Sequence, residues 1–220
     1  MRVVITGASR GIGAEFVRVL LAEGHEVHAV SRNPDRLAAA SKEKNLKIHE
    51  IDLENVAGPD RLCRALEGRK IDLLVNNAGM YAGADELAKL QMEDVRLSFE
   101  VNTLIPIRVC QALAPCFANG AKVAQITSLM GSIADNGSGG AYAYRMSKAA
   151  LNMFNKCFAI ERKDLISVVL HPGWVQTEMG GKNAPTTPAQ SVAGMLKVIA
   201  KLGPGDTGKF FDFEGEELPW

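Results

Sequence analysis

The sequence lacks an excess of charge of either sign. Its 25 lysines and arginines balance 25 aspartates and glutamates, so the formal net charge at pH 7 is zero. Proteins that bind nucleic acid or an anionic membrane through bulk electrostatics carry a basic excess. No apolar run approaches the roughly 20 residues of a membrane-spanning helix, and the first residues do not have the pattern of a secretory signal. We therefore expect a cytoplasmic protein without a nucleic-acid or membrane partner.

Paired cysteines are also lacking. The four cysteines, Cys63, Cys110, Cys116 and Cys157, form no CxxC pair, and no cysteine–histidine cluster has the spacing of a zinc site. We expect reduced thiols and no bound metal. Aromatic residues make up only 6% of the chain, whereas apolar residues make up 47%, which is ordinary for a globular protein. The length predicts one domain over residues 1–220.

Short segments rich in branched apolar residues alternate with stretches of helical spacing along the whole chain. The segments predicted as strands are residues 3–6, 27–30, 47–51, 73–75, 123–127, 168–170 and 209–213. The predicted helices are residues 12–23, 35–44, 59–66, 92–118, 142–162 and 188–202. This alternation predicts an α/β fold, a single doubly wound Rossmann-type domain with about seven parallel strands and helices on both faces. Ligands of such sheets bind beyond the carboxyl ends of the strands.

A glycine-rich turn, TGASRGIG at residues 6–13, joins the first predicted strand to the first helix. Glycines let the backbone approach a ligand, and the start of a helix offers free N–H groups to a pyrophosphate. The spacing is GxxxGxG, not the GxGxxG of the general dinucleotide fingerprint, and a turn that serves only tight packing is the alternative. The residues predicted to contact a dinucleotide here are Gly7, Ser9, Arg10, Gly11, Ile12 and Gly13.

Ser31 and Arg32 follow the second predicted strand, where sites that prefer NAD hold a carboxylate for the adenosine ribose. Arg32 and Arg10 are two guanidinium groups that could bind a 2′-phosphate. We therefore favour NADP(H) as cofactor. NAD(H) is the alternative, in which case both arginines are simply solvated.

Four motifs in this order resemble the short-chain dehydrogenase/reductase family: the turn at residues 6–13, NNAG at 76–79, Ser128, and YRMSK at 144–148. The segments 130–137 and 171–180 resemble the branch of C-factor-like and sniffer-like carbonyl reductases. The resemblance covers essentially the whole chain. It implies an NADPH-dependent reductase that converts a ketone, aldehyde or quinone to an alcohol by hydride transfer. A signalling or sensor protein of the same fold, with incidental catalysis, is the alternative.

Tyr144 and Lys148 are four residues apart on a predicted helix and therefore neighbours on one face. A nearby ammonium favours a phenolate, so we expect Lys148 to depress the pKa of Tyr144 from its usual value of about 10. Tyr144 is the predicted proton donor. The resemblance implies that Lys148 also holds the nicotinamide ribose.

Ser128 follows the fifth predicted strand, where its hydroxyl could hydrogen-bond a carbonyl oxygen as charge develops. Ser132 is a less favoured alternative. The interval to Tyr144 contains the glycine-rich stretch 137–140, so the distance between Ser128 and Tyr144 stays open. The resemblance implies that Asn102 holds a water linking the lysine to solvent, whereas capping or kinking of its helix is the alternative.

The resemblance implies further cofactor contacts. On the adenosine side these are Asp52, Leu53, Asn76, Ala78 and Gly79, and on the nicotinamide side they are Pro172, Gly173, Val175 and Thr177. A short segment after Thr177 and the apolar residues Tyr81, Met130, Trp174 and Met179 predict an open mouth for a small or flat carbonyl compound or its alcohol. A monomer and a homodimer both stay open.

Overall fold

The computed structural model describes residues 1–40, 43–83 and 85–220. Its centre is one sheet of seven strands, all paired in parallel. The strands are β1 Arg2–Thr6, β2 Glu26–Ser31, β3 Leu46–Glu50, β4 Ile71–Asn76, β5 Phe117–Ile126, β6 Ile166–His171 and β7 Phe210–Asp212. Their spatial order is β3-β2-β1-β4-β5-β6-β7. The order reverses between β1 and β4, and this is the point where doubly wound sheets bind ligands.

Six α-helices cover the two faces of the sheet in the described part of the chain. They are α1 Gly11–Ala22, α2 Gly58–Ala65, α3 Met92–Phe99, α4 Ile105–Leu113, α5 Tyr142–Glu161 and α6 Pro188–Lys201. One core lies between the sheet and the helices α1 and α6, where Phe16 and Met195 are fully buried. The other lies beneath α2 and α4, where Leu62 and Val109 are fully buried. The predicted doubly wound α/β fold is confirmed.

The predicted helix over residues 92–118 is wrong. It divides into α3, one turn of π-helix at Glu100–Leu104, α4 and a short 3₁₀ turn at Ala114–Cys116. Pro106 has no N–H to donate to the carbonyl of Asn102, so regular α-helical bonding fails there. Pro115 likewise cannot donate to Gln111. The chain leaves the helix after Cys116, and β5 begins six residues earlier than predicted, with an irregular register against β4.

The predicted helix over residues 35–44 also differs from the structure in its type and length. A 3₁₀ helix spans Asp35–Ala40, and residues 41 and 42 of that prediction lie outside the described residues. The remaining helix predictions agree with the structure within a few residues. Within the described ranges, no helix is both long enough and apolar enough to cross a membrane.

Candidate active site

Tyr144 and Lys148 lie on the face of α5 that packs against the sheet. Both are almost completely buried, with 9% and 4% of their surface exposed. The Lys148 Nζ atom lies 5.8 Å from the centre of the Tyr144 ring. It donates a hydrogen bond of 2.8 Å to the main-chain oxygen of Ile126, the last residue of β5. The helix therefore holds the amine beside the phenol at the carboxyl end of the central strands.

Burial changes the pKa of both groups. It raises the pKa of Tyr144, and a side-chain hydrogen bond with Ser128 opposes that shift. It lowers the pKa of Lys148 to about 8. The expected depression of the Tyr144 pKa is thus wrong for the protein by itself, because removal of the phenol from water outweighs its neighbours. A lysine with a pKa near 8 can change its charge close to neutral pH.

Ser128 lies two residues beyond the end of β5, and its side chain is close enough to Tyr144 to oppose the rise in the tyrosine pKa. Its Oγ atom also accepts a hydrogen bond of 3.1 Å from the Met130 N–H. The chain then makes a tight turn, and a Cβ on Gly131 would lie 2.9 Å from the main-chain carbon of Lys148. Close packing of this turn on α5 brings serine and tyrosine together, which the sequence left open. Ser132, the less favoured alternative, instead accepts a bond from the Asp135 N–H.

The glycine-rich interval before α5 is fixed by Arg145. The guanidinium of Arg145 donates to the Gly139 oxygen at 3.2 Å, the Ser138 Oγ at 2.8 Å and the Met130 oxygen at 3.4 Å. These bonds tie the start of α5 both to the glycine-rich stretch and to Met130, which precedes it. The length of the interval therefore does not separate Ser128 from Tyr144.

Asn102 lies in the π-helical turn and clamps the main chain of Met80. Its Oδ1 accepts from the Met80 N–H at 2.8 Å, and its Nδ2 donates to the Met80 oxygen at 2.9 Å and to the Ser147 Oγ at 3.0 Å. The Asn102 side chain therefore bonds the segment after β4 and not the main chain of its own helix, as the alternative of capping or kinking had it. Asn102 thus ties the segment after β4 to the residue that precedes Lys148.

A groove of about 1620 Å³ runs along the carboxyl ends of the strands to Tyr144 and Lys148. The predicted cofactor residues that line it are Gly7, Ser9, Arg10, Gly11, Ile12, Ser31, Arg32, Asp52, Leu53, Ala78, Gly79, Tyr144, Lys148, Pro172 and Thr177. Gly7 and Gly11 have φ angles of 64° and 53°, a conformation that favours glycine. A Cβ on Gly11 would lie 3.2 Å from the Thr177 side chain across the turn.

Four predicted cofactor residues do not line the groove. The Asn76 amide points away from the groove and donates a hydrogen bond of 2.9 Å to the Gln125 Oε1 on β5. Asn77 lines the groove in its place. Gly13 packs on the turn, since a Cβ there would lie 2.2 Å from the Gly7 oxygen. Gly173 packs against Phe213, since a Cβ on Gly173 would lie 2.9 Å from the Phe213 ring. Val175 is 3% exposed and bridges to Thr186.

Three arginines surround the adenosine end of the groove. Arg10 and Arg36 both pair with Glu178, the second at 2.7 Å, and Arg32 pairs with Glu54. All three guanidinium groups stay more than half exposed, so a phosphate could displace the carboxylates. Sequence reasoning missed Arg36, although its position four residues after Arg32 was a usable signal. Both carboxylate partners come from segments distant in sequence.

The remaining candidates lie at the end of β6 and in the segment that follows it. His171 is mostly buried at the end of β6, and burial lowers its pKa to about 4, so it is neutral near pH 7. Trp174 is exposed and donates 2.7 Å to the Gly180 oxygen. Met179 is exposed and lines the groove. Among the described residues, no cluster of three or more histidine, cysteine or acidic side chains could hold a metal ion.

Comparison with known proteins agrees with this geometry. The family model described as short chain dehydrogenase matches residues 1–188. The chain is 47% identical over 154 residues to the C-signal of Myxococcus xanthus, covering 68% of this chain and 93% of that protein. It superimposes on NADPH-bound carbonyl reductase from chicken fatty liver with a TM-score of 0.94 and 35% identity, covering 100% and 98% of the two chains. It also superimposes on the carbonyl reductase Sniffer of D. melanogaster, with a TM-score of 0.94 and 30% identity, covering 100% of this chain and 99% of that one.

Proposed function

The chain belongs to the short-chain dehydrogenase family, and we propose that it reduces a carbonyl compound to an alcohol with NADPH. The observation that carries the proposal is the buried group of Ser128, Tyr144 and Lys148, of which Tyr144 and Lys148 line a groove of about 1620 Å³. Both structural relatives described above are carbonyl reductases, and the chicken enzyme binds NADPH. The family resemblance stated from the sequence alone is confirmed.

The groove fits a dinucleotide at both ends. Gly7 and Gly11 line the groove, where a Cβ would crowd Ala78 or Thr177, and the helix α1 that begins at Gly11 has free N–H groups in its first turn. Arg10, Arg32 and Arg36 would bind the 2′-phosphate. Lys148 would hold the nicotinamide ribose, with Pro172 and Thr177 beside the ring. When bound, NADPH supplies the hydride that reduces the carbonyl carbon.

Tyr144 donates its proton to the carbonyl oxygen, and this proton transfer completes the alcohol. Burial keeps its phenol protonated near neutral pH, which suits a donor. The Ser128 hydroxyl hydrogen-bonds the same oxygen and stabilises the charge that develops on it. The Lys148 ammonium lies close enough to stabilise the phenolate that remains. The Asn102 clamp on Met80 keeps the opposite side of the site in place.

The test is NADPH oxidation by the purified protein with a panel of quinones, 1,2-diketones and aldehydes. We expect turnover of at least one class, with NADPH preferred over NADH. Tight NADPH binding without turnover of any carbonyl class would contradict the proposal.

A nucleotide-binding signalling protein is the second candidate. Among the relatives described above, the C-signal has the highest sequence identity to this chain, and its name is that of a signal. A signalling protein needs the groove but not the proton donor. Retention of Ser128, Tyr144 and Lys148 together in one buried cluster favours catalysis. A signalling assay in which Tyr144→Phe acts as well as the parent protein would favour the second candidate.

A further inference from the structure

Two cysteines meet at the amino end of β5, away from the proposed active site. The Sγ atoms of Cys63 and Cys116 lie 3.3 Å apart, although the two residues are 53 positions apart in the sequence. Both are free thiols in the structure. Cys116 directly precedes β5, whereas Lys148 bonds Ile126 at the other end of that strand. The pair therefore takes no part in the proposed hydride and proton transfers.

The packing of α2 beside the turn before β5 holds the two sulfurs together. Cys63 lies in the last turn of α2, and Cys116 ends the 3₁₀ turn. Leu62 and Phe117, the neighbours of the two cysteines, are buried in one hydrophobic core, and Cys63 packs against it. A disulfide bond is about 2.05 Å long, so the sulfurs need to approach by little more than about 1 Å.

The two thiols differ in their access to solvent. Cys116 is buried, whereas Cys63 is half-buried, so a small oxidant from solution reaches Cys63 first. Burial and the neighbouring Cys63 raise the pKa of Cys116 to about 11, and the charge of Lys70 opposes this rise. The Lys70 Nζ donates a hydrogen bond of 2.7 Å to the oxygen of Pro115, the residue before Cys116. A fixed cation thus lies beside the pair, where it stabilises a thiolate as it forms.

The other two cysteines lack this arrangement. Cys110 is buried, and its sulfur contacts the side-chain amides of Asn76 and Gln125. Cys157 is exposed on α5. They serve as internal controls for burial without a partner thiol and for exposure without one.

We propose that Cys63 and Cys116 are a site of reversible oxidation, at which a hydroperoxide converts the two thiols to a disulfide that joins α2 to the start of β5. With hydrogen peroxide, one oxygen is transferred to the Cys63 sulfur: an S–O bond forms, the O–O bond breaks and water leaves. The Cys116 sulfur then attacks the Cys63 sulfur, the S–S bond forms, and the oxygen leaves as a second water with the Cys116 proton. The thiols lose two electrons and the peroxide gains them. A dithiol reverses the reaction by exchange and is itself oxidised.

The disulfide closes a loop that contains β4, α3 and α4. A cross-link between segments that are already in contact restricts the unfolded chain more than the folded one. The oxidised protein should therefore melt about 5 °C higher than the reduced protein. The inference does not depend on the proposed function, because neither the oxidation nor the melting temperature requires carbonyl reduction.

The experiment exposes the folded full-length protein to a small excess of hydrogen peroxide, alkylates the remaining thiols and maps the peptides by mass spectrometry. We expect a peptide pair joined through Cys63 and Cys116, alkylated Cys110, and return of both thiols with dithiothreitol. Cys157→Ser is the matched control and should keep both the cross-link and the rise in melting temperature. Cys63→Ser should lose both, which separates the cross-link from oxidation of methionines.

Three results would overturn the inference. The first is alkylation of both Cys63 and Cys116 after peroxide has consumed the Cys157 thiol. The second is a cross-link that forms only when the protein is unfolded in urea. The third is a melting temperature that peroxide leaves unchanged, lowers, or raises as much in Cys63→Ser as in the parent.

Discussion

At the scale of single residues, burial decides the chemistry of Tyr144 and Lys148 more than their spacing does. Spacing along a helix predicted that the two side chains would be neighbours, and they are. It could not predict the sign of the tyrosine pKa shift, because removal from water depends on Ile126 and the other groups packed around the pair. The amine carries the complementary shift, with its pKa lowered to about 8.

The lowered pKa of Lys148 predicts a pH-dependent effect on stability. The folded pKa of about 8 lies below the usual lysine value of 10.5, so burial of the charge destabilises the fold fully below pH 8. That destabilisation is relieved as the pH rises from 8 to 10.5, by about 1.4 kcal/mol per pH unit. Relative to Lys148→Met, the parent should therefore gain melting temperature between pH 7 and 9.5 in thermal unfolding. A constant difference between the two proteins across that range would contradict the shift.

The arginines at the adenosine end predict selective effects on the cofactor. Arg32→Ala and Arg36→Ala should each weaken NADPH binding at least tenfold and NADH binding less than threefold, since only NADPH carries the 2′-phosphate. Arg18→Ala is a suitable control for the loss of one positive charge, because Arg18 lines the same groove but belongs to α1 and is not one of the three arginines at the adenosine end. The measurement is nucleotide titration by fluorescence. Equal losses for both nucleotides would remove the argument for NADPH.

At the scale of elements, the sequence predicted the strands and most helices because branched apolar runs and helical periodicity are local signals. The division between α3 and α4 was missed, although Pro106 and Pro115 were visible as residues without an N–H group. The register irregularity that lengthens β5 depends on pairing between Ile71 and Phe117. The Glu178 bridge to two arginines joins segments more than 140 residues apart, so neither feature has a local signal.

The turn between β5 and α5 predicts a requirement for glycine at position 131. A Cβ there would lie 2.9 and 3.0 Å from Lys148 atoms, so Gly131→Ala must move the turn that carries Ser128 away from α5. We expect a loss of about 1–3 kcal/mol in the free energy of unfolding and a lower kcat. Gly137→Ala is the matched control, because nothing lies within 4 Å of its Cβ position. Equal melting temperatures for the two variants would contradict this packing.

At the scale of the whole molecule, the buried His28 and the partly buried His49 and His171 predict the response to acid. Burial lowers the pKa of His49 and His171 to about 4, and also lowers that of His28, which hydrogen-bonds His49. Their unfolded pKa is about 6.5, so stability is complete above that pH and is lost as the pH falls towards 4. Each histidine adds up to about 1.4 kcal/mol per pH unit to this slope.

Urea unfolding between pH 7 and 4 measures that response. The free energy of unfolding should fall steadily as the pH falls over this range. The slope of that free energy with pH counts the protons taken up on unfolding, and His171→Asn should lower this count by up to one. A free energy that stays level from pH 7 to 4.5 would show that these histidines are not held neutral by the fold.

The most direct test of the central claim is a single-turnover measurement of NADPH oxidation by a saturating 1,2-diketone. The account predicts that Tyr144→Phe slows this step at least a hundredfold, while its NADPH dissociation constant stays within threefold of the parent and Tyr142→Phe reacts at the parental rate. If Tyr144→Phe instead oxidises bound NADPH within tenfold of the parental rate, Tyr144 is not the proton donor.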